Sequence, residues 1–236
     1  MNEHFQLGTL DDGASGSRPA TIGNRVFEAL RLAIVQLQLR PGNILSEAEV
    51  AKQLGVSRQP VREAFIKLAE IGLVEVKPQR GTLVKLISRR EVENARFIRE
   101  AIEVAVVRRA CAEAGDADIA VMRDVVARQK LVSVTGDLAG FLRLDEALHQ
   151  SIARSVDCEP AWRLLENLKA QMDRVRYLSL PHETPIDTLI AQHDAIVEAI
   201  AERDADRAEA RMREHLSEIL KSLPRIAAIQ SEMFSE

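Results

Sequence analysis

The stretch LGVSRQPVREA at residues 54–64 decides the fold of the N-terminal part of this chain. Gly55 predicts a tight turn, and Ser57 is a residue type that caps the N-terminus of a helix. The helix predicted from there covers residues 58–71 and ends at Gly72. Its apolar residues recur at helical spacing, so one face is expected to be buried while a neighbouring face stays open. Those apolar residues are Val61, Ala64, Phe65 and Leu68.

The elements on either side of this helix have the order of a winged helix-turn-helix. A helix over about 22–38 precedes it, followed by a shorter helix over about 46–54 that opens on a capping box. Two segments of alternating apolar residues come after it, at 73–76 and 82–86, and they predict a β-hairpin. We therefore predict a winged helix-turn-helix DNA-binding domain at residues 21–87.

An exposed cationic face on the predicted third helix suits the major groove of DNA. Arg58 and Arg62 lie four residues apart and so point the same way, and arginine can bind guanine O6 and N7 through two hydrogen bonds. Gln59 offers a further contact to a base edge or a phosphate, and the hairpin turn carries Arg80 and Gly81. The alternative is that the arginines are solvated residues on a core helix. The turn, the basic hairpin and the order of elements favour DNA contact.

Charge is distributed unevenly along the chain. The 236 residues carry a net charge of −4, which argues against a protein that coats nucleic acid with its whole surface. Residues 1–87 have 11 basic and 9 acidic side chains, whereas residues 88–236 have 21 basic and 27 acidic ones. A basic patch on an otherwise acidic chain fits a DNA-docking domain joined to a domain that does not contact phosphate.

Several features predict a cytoplasmic protein with no membrane partner. No apolar run reaches the ~20 residues needed to span a bilayer, and the N-terminus lacks the pattern of a signal peptide. Residues 1–20 are instead polar and rich in glycine and serine, and they are predicted to be a disordered tail. The two cysteines, Cys111 and Cys158, are not spaced as metal ligands and are expected to be reduced.

Residues 88–236 are predicted to form a bundle of antiparallel helices. Six amphipathic segments follow one another, and glycine, proline or N-cap residues mark the breaks between them. The predicted fold class is therefore mainly α, with an N-terminal winged helix-turn-helix and a C-terminal six-helix antiparallel bundle. The six segments lie at about 89–114, 116–133, 136–155, 159–179, 185–202 and 204–224.

Three histidines lie within the apolar stripes of these helices, where polar side chains are unusual. They are His149, His193 and His215, and Asp145 lies one turn before His149 on the same face. Buried polar groups are costly unless they find partners, and a divalent metal satisfies all four at once. Three imidazoles and a carboxylate suit Zn²⁺, Ni²⁺ or a similar ion. A single buried histidine is most often a satisfied core residue, so spacing alone leaves a metal centre and a hydrogen-bonded core as equal alternatives.

The N-terminal motifs resemble the DNA-binding domain of the GntR family of bacterial regulators. The resemblance covers residues 24–86 and also rests on LSE at 45–47, GLV at 72–74 and RGT at 80–82. It implies that the recognition-helix arginines contact bases or phosphates and that the hairpin serves as the wing. Many relatives place a further DNA-contacting arginine between the two acids of the second helix, where this chain has Ala48. The operator preference of the family therefore need not transfer at that contact.

The helical part resembles the metal-binding FCD ligand domain of the FadR subfamily within that family. The motifs that carry the resemblance are DEALH at 145–149, HDAIVEAI at 193–200 and MREHL at 212–216. The resemblance implies that a small carboxylate effector binds at or beside a metal and changes DNA affinity. It also implies the four metal ligands Asp145, His149, His193 and His215.

A carboxylate effector also needs a guanidinium group nearby. Arg99, four residues before Glu103, matches an arginine that the subfamily often directs inward. Arg174 and Arg176 are further candidates, with surface arginines paired to nearby acids as the alternative.

The predicted function is a bacterial regulator that binds a palindromic operator as a homodimer under the control of a small organic acid. A regulator whose metal is purely structural is one alternative. A metal-dependent enzyme fused to a DNA-binding domain is less favoured, because no general base, nucleophile motif or phosphate loop is evident.

Overall fold

The described residues of the N-terminal part of the chain form three helices and a small antiparallel sheet with the strand order β1-β3-β2. The computed structural model describes residue 7, residues 21–180 and residues 183–235, so the predicted disordered tail lies outside the described residues apart from Leu7. The elements in chain order are α1 (Ile22–Val35), β1 (Ile44–Leu45), α2 (Glu47–Leu54), α3 (Arg58–Glu70), β2 (Val74–Lys77) and β3 (Gly81–Val84).

The turn between α2 and α3 lies where the sequence predicts it. Gly55 ends α2 with a φ of 66°, a left-handed conformation that glycine adopts without steric cost. The apolar stripe of α3 packs against α1, which contributes buried Val26 and Leu30. The predicted winged helix-turn-helix is thus confirmed. As predicted, the buried residues of α3 are Val61, Ala64, Phe65 and Leu68.

The wing is the hairpin formed by β2 and β3, in which Lys77 is paired with Gly81. Gly81 has a φ of 95°, and a Cβ atom added to it would lie 2.8 Å from the carbonyl oxygen of Leu45. Leu45 belongs to β1, a two-residue strand that the sequence does not predict and that completes the sheet. Only glycine therefore fits where the hairpin passes β1.

The second compact unit, Arg90–Ile229, is helical, as predicted. The predicted helix at 159–179 is divided at Lys169, whose ψ of −4° departs from the value of about −42° in a regular helix. The described part of the bundle therefore has seven helices rather than six. No described helix combines the length and apolar character needed to cross a membrane. The helices are α4 (Arg89–Glu113), α5 (Asp116–Thr135), α6 (Leu138–Arg154), α7 (Glu159–Leu168), α8 (Ala170–Ser179), α9 (Ile186–Ala201) and α10 (Ala205–Ile229).

The C-terminal segment from Gln230 groups with the N-terminal unit. A short 3-10 turn, Ser231–Met233, leads to β5 (Phe234–Ser235), which pairs in parallel with β4 (Ile87–Ser88). Phe234 is buried there. No pattern in the sequence predicts this pairing, because each strand has two residues and the two lie far apart in the chain.

Candidate metal centre and DNA-binding surface

Four buried polar side chains from three helices converge in the bundle. They form the His/Asp cluster, which consists of Asp145 and His149 on α6, His193 on α9 and His215 on α10. One potential ligand atom from each residue lies within 4.8 Å of the others. The Nε2 atom of His215 is 3.2 Å from that of His149 and 3.4 Å from that of His193, whose Nε2 is also 3.4 Å from Asp145 Oδ1.

The helical periodicity of the chain explains why these side chains point inward. Asp145 and His149 are one turn apart on α6, so both belong to the face that buries Phe141, Leu148 and Ile152. The two remaining histidines take single positions in the apolar stripes of α9 and α10. Their neighbours are fully or almost fully buried, so the cluster lies within the hydrophobic core of the bundle.

Gln129 on α5 determines the orientation of His193. The Nδ1 atom of His193 lies 2.7 Å from Oε1 of Gln129, while Nε2 of the amide donates to the carbonyl oxygen of Leu144 at 3.1 Å. The second bond fixes which amide atom faces the imidazole. An amide oxygen only accepts, so the imidazole proton lies on Nδ1 and the lone pair on Nε2 points into the cluster.

Gln192 has the same role for His215. Its Oε1 atom lies 3.2 Å from Nδ1 of His215, and its Nε2 donates to Glu218 at 2.7 Å. For His149 the supporting group is a carboxylate, since its Nδ1 is in contact with Glu103 and Glu103 is ion-paired with Arg99. Burial by itself would raise the pKa of Glu103, but Arg99 and His149 together lower it to about 2. All three imidazoles thus face an acceptor through Nδ1.

Asp145 is held by Arg176, whose Nη2 lies 2.6 Å from Oδ2. Burial alone would raise the pKa of Asp145, but the Arg176 charge and the cluster histidines hold it well below its usual range. Neither carboxylate oxygen has a hydrogen bond of good geometry to another described residue. The carboxylate is therefore ionised and retains lone pairs that are directed at the cluster.

This arrangement fits a divalent metal ion. With Nδ1 of His193 and of His215 protonated toward an amide oxygen, the Nε2 lone pairs of these two rings face each other and the ionised carboxylate of Asp145 within the buried core. Burial lowers the pKa of His193 and holds that of His215 well below its usual range, which keeps both rings neutral as ligation requires. Nitrogen and oxygen donors whose outer atoms are held by amides and carboxylates are typical of protein metal sites.

A small cavity with a volume of about 30 Å³ adjoins the cluster. Arg99, Arg176 and the cluster residue His215 line it together, with apolar walls that include Met172 and Ile219. The third predicted effector residue, Arg174, does not line this cavity. Its side chain is fully buried and donates to Gln171 at 3.0 Å, and burial lowers its pKa to about 10.

The predicted DNA-contacting side chains lie on the surface of the N-terminal unit. Arg58 and Arg80 are exposed, the first at the start of α3 and the second in the wing turn beside Gly81. Gln59 is exposed and donates to Glu63 at 2.9 Å. Arg62, also exposed, forms a salt bridge with a carboxylate of α2, described below.

Comparison with known proteins assigns both units. Residues 22–84 match the family described as bacterial regulatory proteins, gntR family, and residues 94–218 match the FCD domain.

The chain belongs to the GntR family and carries an FCD domain.

RspR of Escherichia coli (strain K12), described as an HTH-type transcriptional repressor, is 43% identical to this chain over 215 residues. The match covers 91% of this chain and 94% of RspR. Membership confirms the predicted class, a DNA-binding transcriptional regulator and not an enzyme.

Two solved structures share the fold. E. coli McbR/YncC matches with a TM-score of 0.76 at 18% identity, over 89% of this chain and 99% of that one. A GntR transcriptional regulator from Rhodococcus sp. RHA1 matches with a TM-score of 0.71 at 23% identity, over 86% and 97% of the two chains. At these identities the likeness concerns the fold alone.

The residues that support the cluster are not predicted from the sequence. Gln129 and Gln192 are amides at buried positions of amphipathic helices, and that placement is the same signal that singled out the histidines. The i, i+4 spacing of Glu103 and Arg99 predicts only that these two residues pair with each other. Its contact with His149 depends on how α4 packs against α6 and has no counterpart in local spacing.

Proposed function

We propose that this GntR-family protein is a homodimeric repressor that binds a palindromic operator and whose DNA affinity is controlled by a small carboxylate bound beside a metal ion. The observation that carries the proposal is that one cavity is lined both by a cluster residue, His215, and by two guanidinium groups, Arg99 and Arg176. Cationic side chains beside a metal are the chemistry that binds a carboxylate.

The contacts of the two arginines suggest how an effector acts on the cluster. Arg176 holds Asp145, and Arg99 holds Glu103, which in turn supports His149. An effector carboxylate that takes a hydrogen bond from either guanidinium competes with these acids. Effector and metal ligands therefore share partners, and a coupling free energy of ~1–3 kcal/mol would change DNA affinity roughly 5- to 150-fold.

The proposed metal ligands are Asp145, His149, His193 and His215, and Zn²⁺ is the proposed ion, with Ni²⁺ or a similar ion as the alternative. Bound there, the ion would supply a Lewis-acidic position for a carboxylate oxygen. The residues of this chain orient the donors and keep the imidazoles of His193 and His215 neutral.

The proposed DNA contacts are Arg58, Gln59, Arg62, Arg80 and Gly81. One winged domain offers a small interface, so two copies related by a two-fold axis and a palindromic site are expected together. A regulator that binds operator DNA works where the DNA is, and the proposal therefore includes a cytoplasmic location.

A thermal-shift screen of the full-length protein tests the proposal. Sugar acids, hydroxy acids and dicarboxylates are added to protein stripped with EDTA and to protein loaded with Zn²⁺ or Ni²⁺. A ligand at 100 times its Kd stabilises by about 2.7 kcal/mol, which for a chain of this size raises Tm by roughly 5–10 °C. We expect such a shift with a carboxylate only when the metal is present.

The matched variants are Arg99→Ala and Arg123→Ala. Arg99 lines the cavity, whereas Arg123 is an exposed arginine paired with Glu198. The first variant should lose the carboxylate shift and the second should keep it.

A purely structural metal remains a second candidate, because both cavity arginines are already paired with acidic side chains. If EDTA lowers Tm while no acid changes it, the structural role is correct and the effector part of the proposal is wrong.

A further inference from the structure

Glu47 on α2 forms a salt bridge with Arg62 on α3, one of the proposed DNA contacts. Arg62 donates from Nε to Oε1 of Glu47 and from Nη2 to Oε2, both at 2.9 Å. This is the two-bond geometry in which guanidinium and carboxylate planes match best. The hydrogen bond from Arg62 lowers the pKa of Glu47, so the carboxylate is ionised at neutral pH.

The Arg62–Glu47 ion pair is not expected to contribute much to the free energy of folding. The side chain of Arg62 is 58% exposed and that of Glu47 is 33% exposed. Ion pairs in such contact with water contribute little to folding, because water and salt screen them. A two-bond contact therefore orders a long exposed side chain that would otherwise sample many rotamers.

The two hydrogen bonds to Glu47 leave the other N–H groups of the Arg62 guanidinium available for DNA. Of its five N–H groups, Glu47 takes the one on Nε and one on Nη2, which leaves both hydrogens of Nη1 and the second hydrogen of Nη2. These remaining donors form the end-on edge of the guanidinium group, which carries one N–H of Nη1 and one N–H of Nη2 side by side. Two parallel donors of this kind match O6 and N7 of a guanine in the major groove.

We propose that Glu47 is the residue that makes Arg62 selective for a base, by ordering its end-on edge and by repelling phosphates from it. The inference rests on the proposed role of Arg62 in DNA contact. A free arginine can turn to any nearby phosphate, and phosphate contacts carry no sequence information. A fixed negative charge beside the guanidinium opposes that alternative, so it should reduce non-specific binding more than specific binding.

The experiment compares two glutamates of the same helical turn. Glu47→Gln removes the ionised partner of Arg62. Glu49→Gln removes an equal charge from the first turn of α2, where Glu49 bonds Gln53 instead. The full-length protein first selects a duplex from a random 30-base-pair library, and anisotropy then gives Kd for that duplex and for a scrambled one at several salt concentrations. Melting temperatures check that the variants are folded.

We expect Glu47→Gln to reduce the ratio of specific to non-specific affinity about tenfold, with tighter binding to the scrambled duplex. Glu49→Gln should strengthen both affinities alike and leave the ratio unchanged. In an Arg62→Ala background, Glu47→Gln should no longer change the ratio, because its target is gone.

Two results overturn the inference and are distinguishable. If Arg62→Ala lowers the ratio while Glu47→Gln behaves like Glu49→Gln, Arg62 reads a base but Glu47 does not position it. If Arg62→Ala leaves the ratio unchanged, the proposed base contact itself is wrong and the role of Glu47 fails with it.

Discussion

Replacing Gln129 by leucine tests whether the His/Asp cluster is built for a metal. Gln129 is fully buried and is the acceptor, at 2.7 Å, for Nδ1 of His193. Leucine has a similar volume but accepts no hydrogen bond, so the imidazole N–H is left unsatisfied in the core. Such a group costs about 1–3 kcal/mol, and the loss of an outer partner weakens metal binding about 10- to 100-fold, or about 1.4–2.8 kcal/mol.

The cost of the unsatisfied N–H group and the loss of metal-binding free energy are similar in size for a physical reason. Without the Gln129 acceptor, His193 can move its proton to Nε2, where Asp145 Oδ1 lies 3.4 Å away. That tautomer has no lone pair directed at the cluster, so the metal must displace the proton before it binds. The loss of metal-binding free energy in the variant therefore corresponds to the free energy by which the hydrogen bond to Gln129 stabilises the tautomer that binds metal.

A competition assay against a fluorescent Zn²⁺ chelator measures the effect on the full-length protein. Gln171→Leu is the matched control, because Gln171 is also a buried amide but bonds Arg174 rather than a cluster residue. Both variants should unfold at lower denaturant concentration than the parent protein, while only Gln129→Leu should bind Zn²⁺ more weakly. Equal Zn²⁺ affinities for the two variants would refute the assignment of Gln129 as a support of a metal ligand.

Three further outcomes are expected. His193→Ala should abolish stoichiometric metal in elemental analysis of the purified protein, since Nε2 of His193 lies 3.4 Å both from Nε2 of His215 and from Oδ1 of Asp145; full occupancy in that variant would show that the ligand set is wrong. Arg99→Ala should weaken the response of DNA binding to an effector while operator affinity without effector is retained, as measured by gel shift. Gly81→Ala should destabilise the wing by more than ~1 kcal/mol in denaturant unfolding, because its φ is 95° and the added Cβ would meet Leu45 O; unchanged stability would contradict the close approach.

Local signals were sufficient for much of the DNA-binding domain. A glycine at the end of α2 and a stripe of four apolar residues on α3 both act within one or two helical turns. The hairpin follows equally from alternation and a turn. These features depend on neighbours in the chain, so their outcome was predictable before any packing was known.

The division between α7 and α8 at Lys169 is a feature that local sequence signals do not predict. Neither glycine nor proline marks it, and residues 159–179 have helical periodicity throughout. In the structure, Lys169 is buried and its Nζ is 2.6 Å from Asp173 and in contact with Glu146. A buried lysine needs these partners, and one of them lies on another helix. The pairing of β4 with β5 likewise depends on two segments that lie far apart in the chain and meet only after folding.

By itself, the sequence determined the order of the three N-terminal helices and the hairpin, the exposed arginines of α3 and the inward position of Asp145 and the three histidines. The tertiary structure alone decided that these four side chains meet, since their helices come together only through packing of the core. It also decided which atoms face the cluster, because the tautomer of each imidazole depends on Gln129, Gln192 and Glu103, all distant in the chain. Periodicity predicts which face of a helix is buried, whereas a ligand site requires that several buried faces meet at one point.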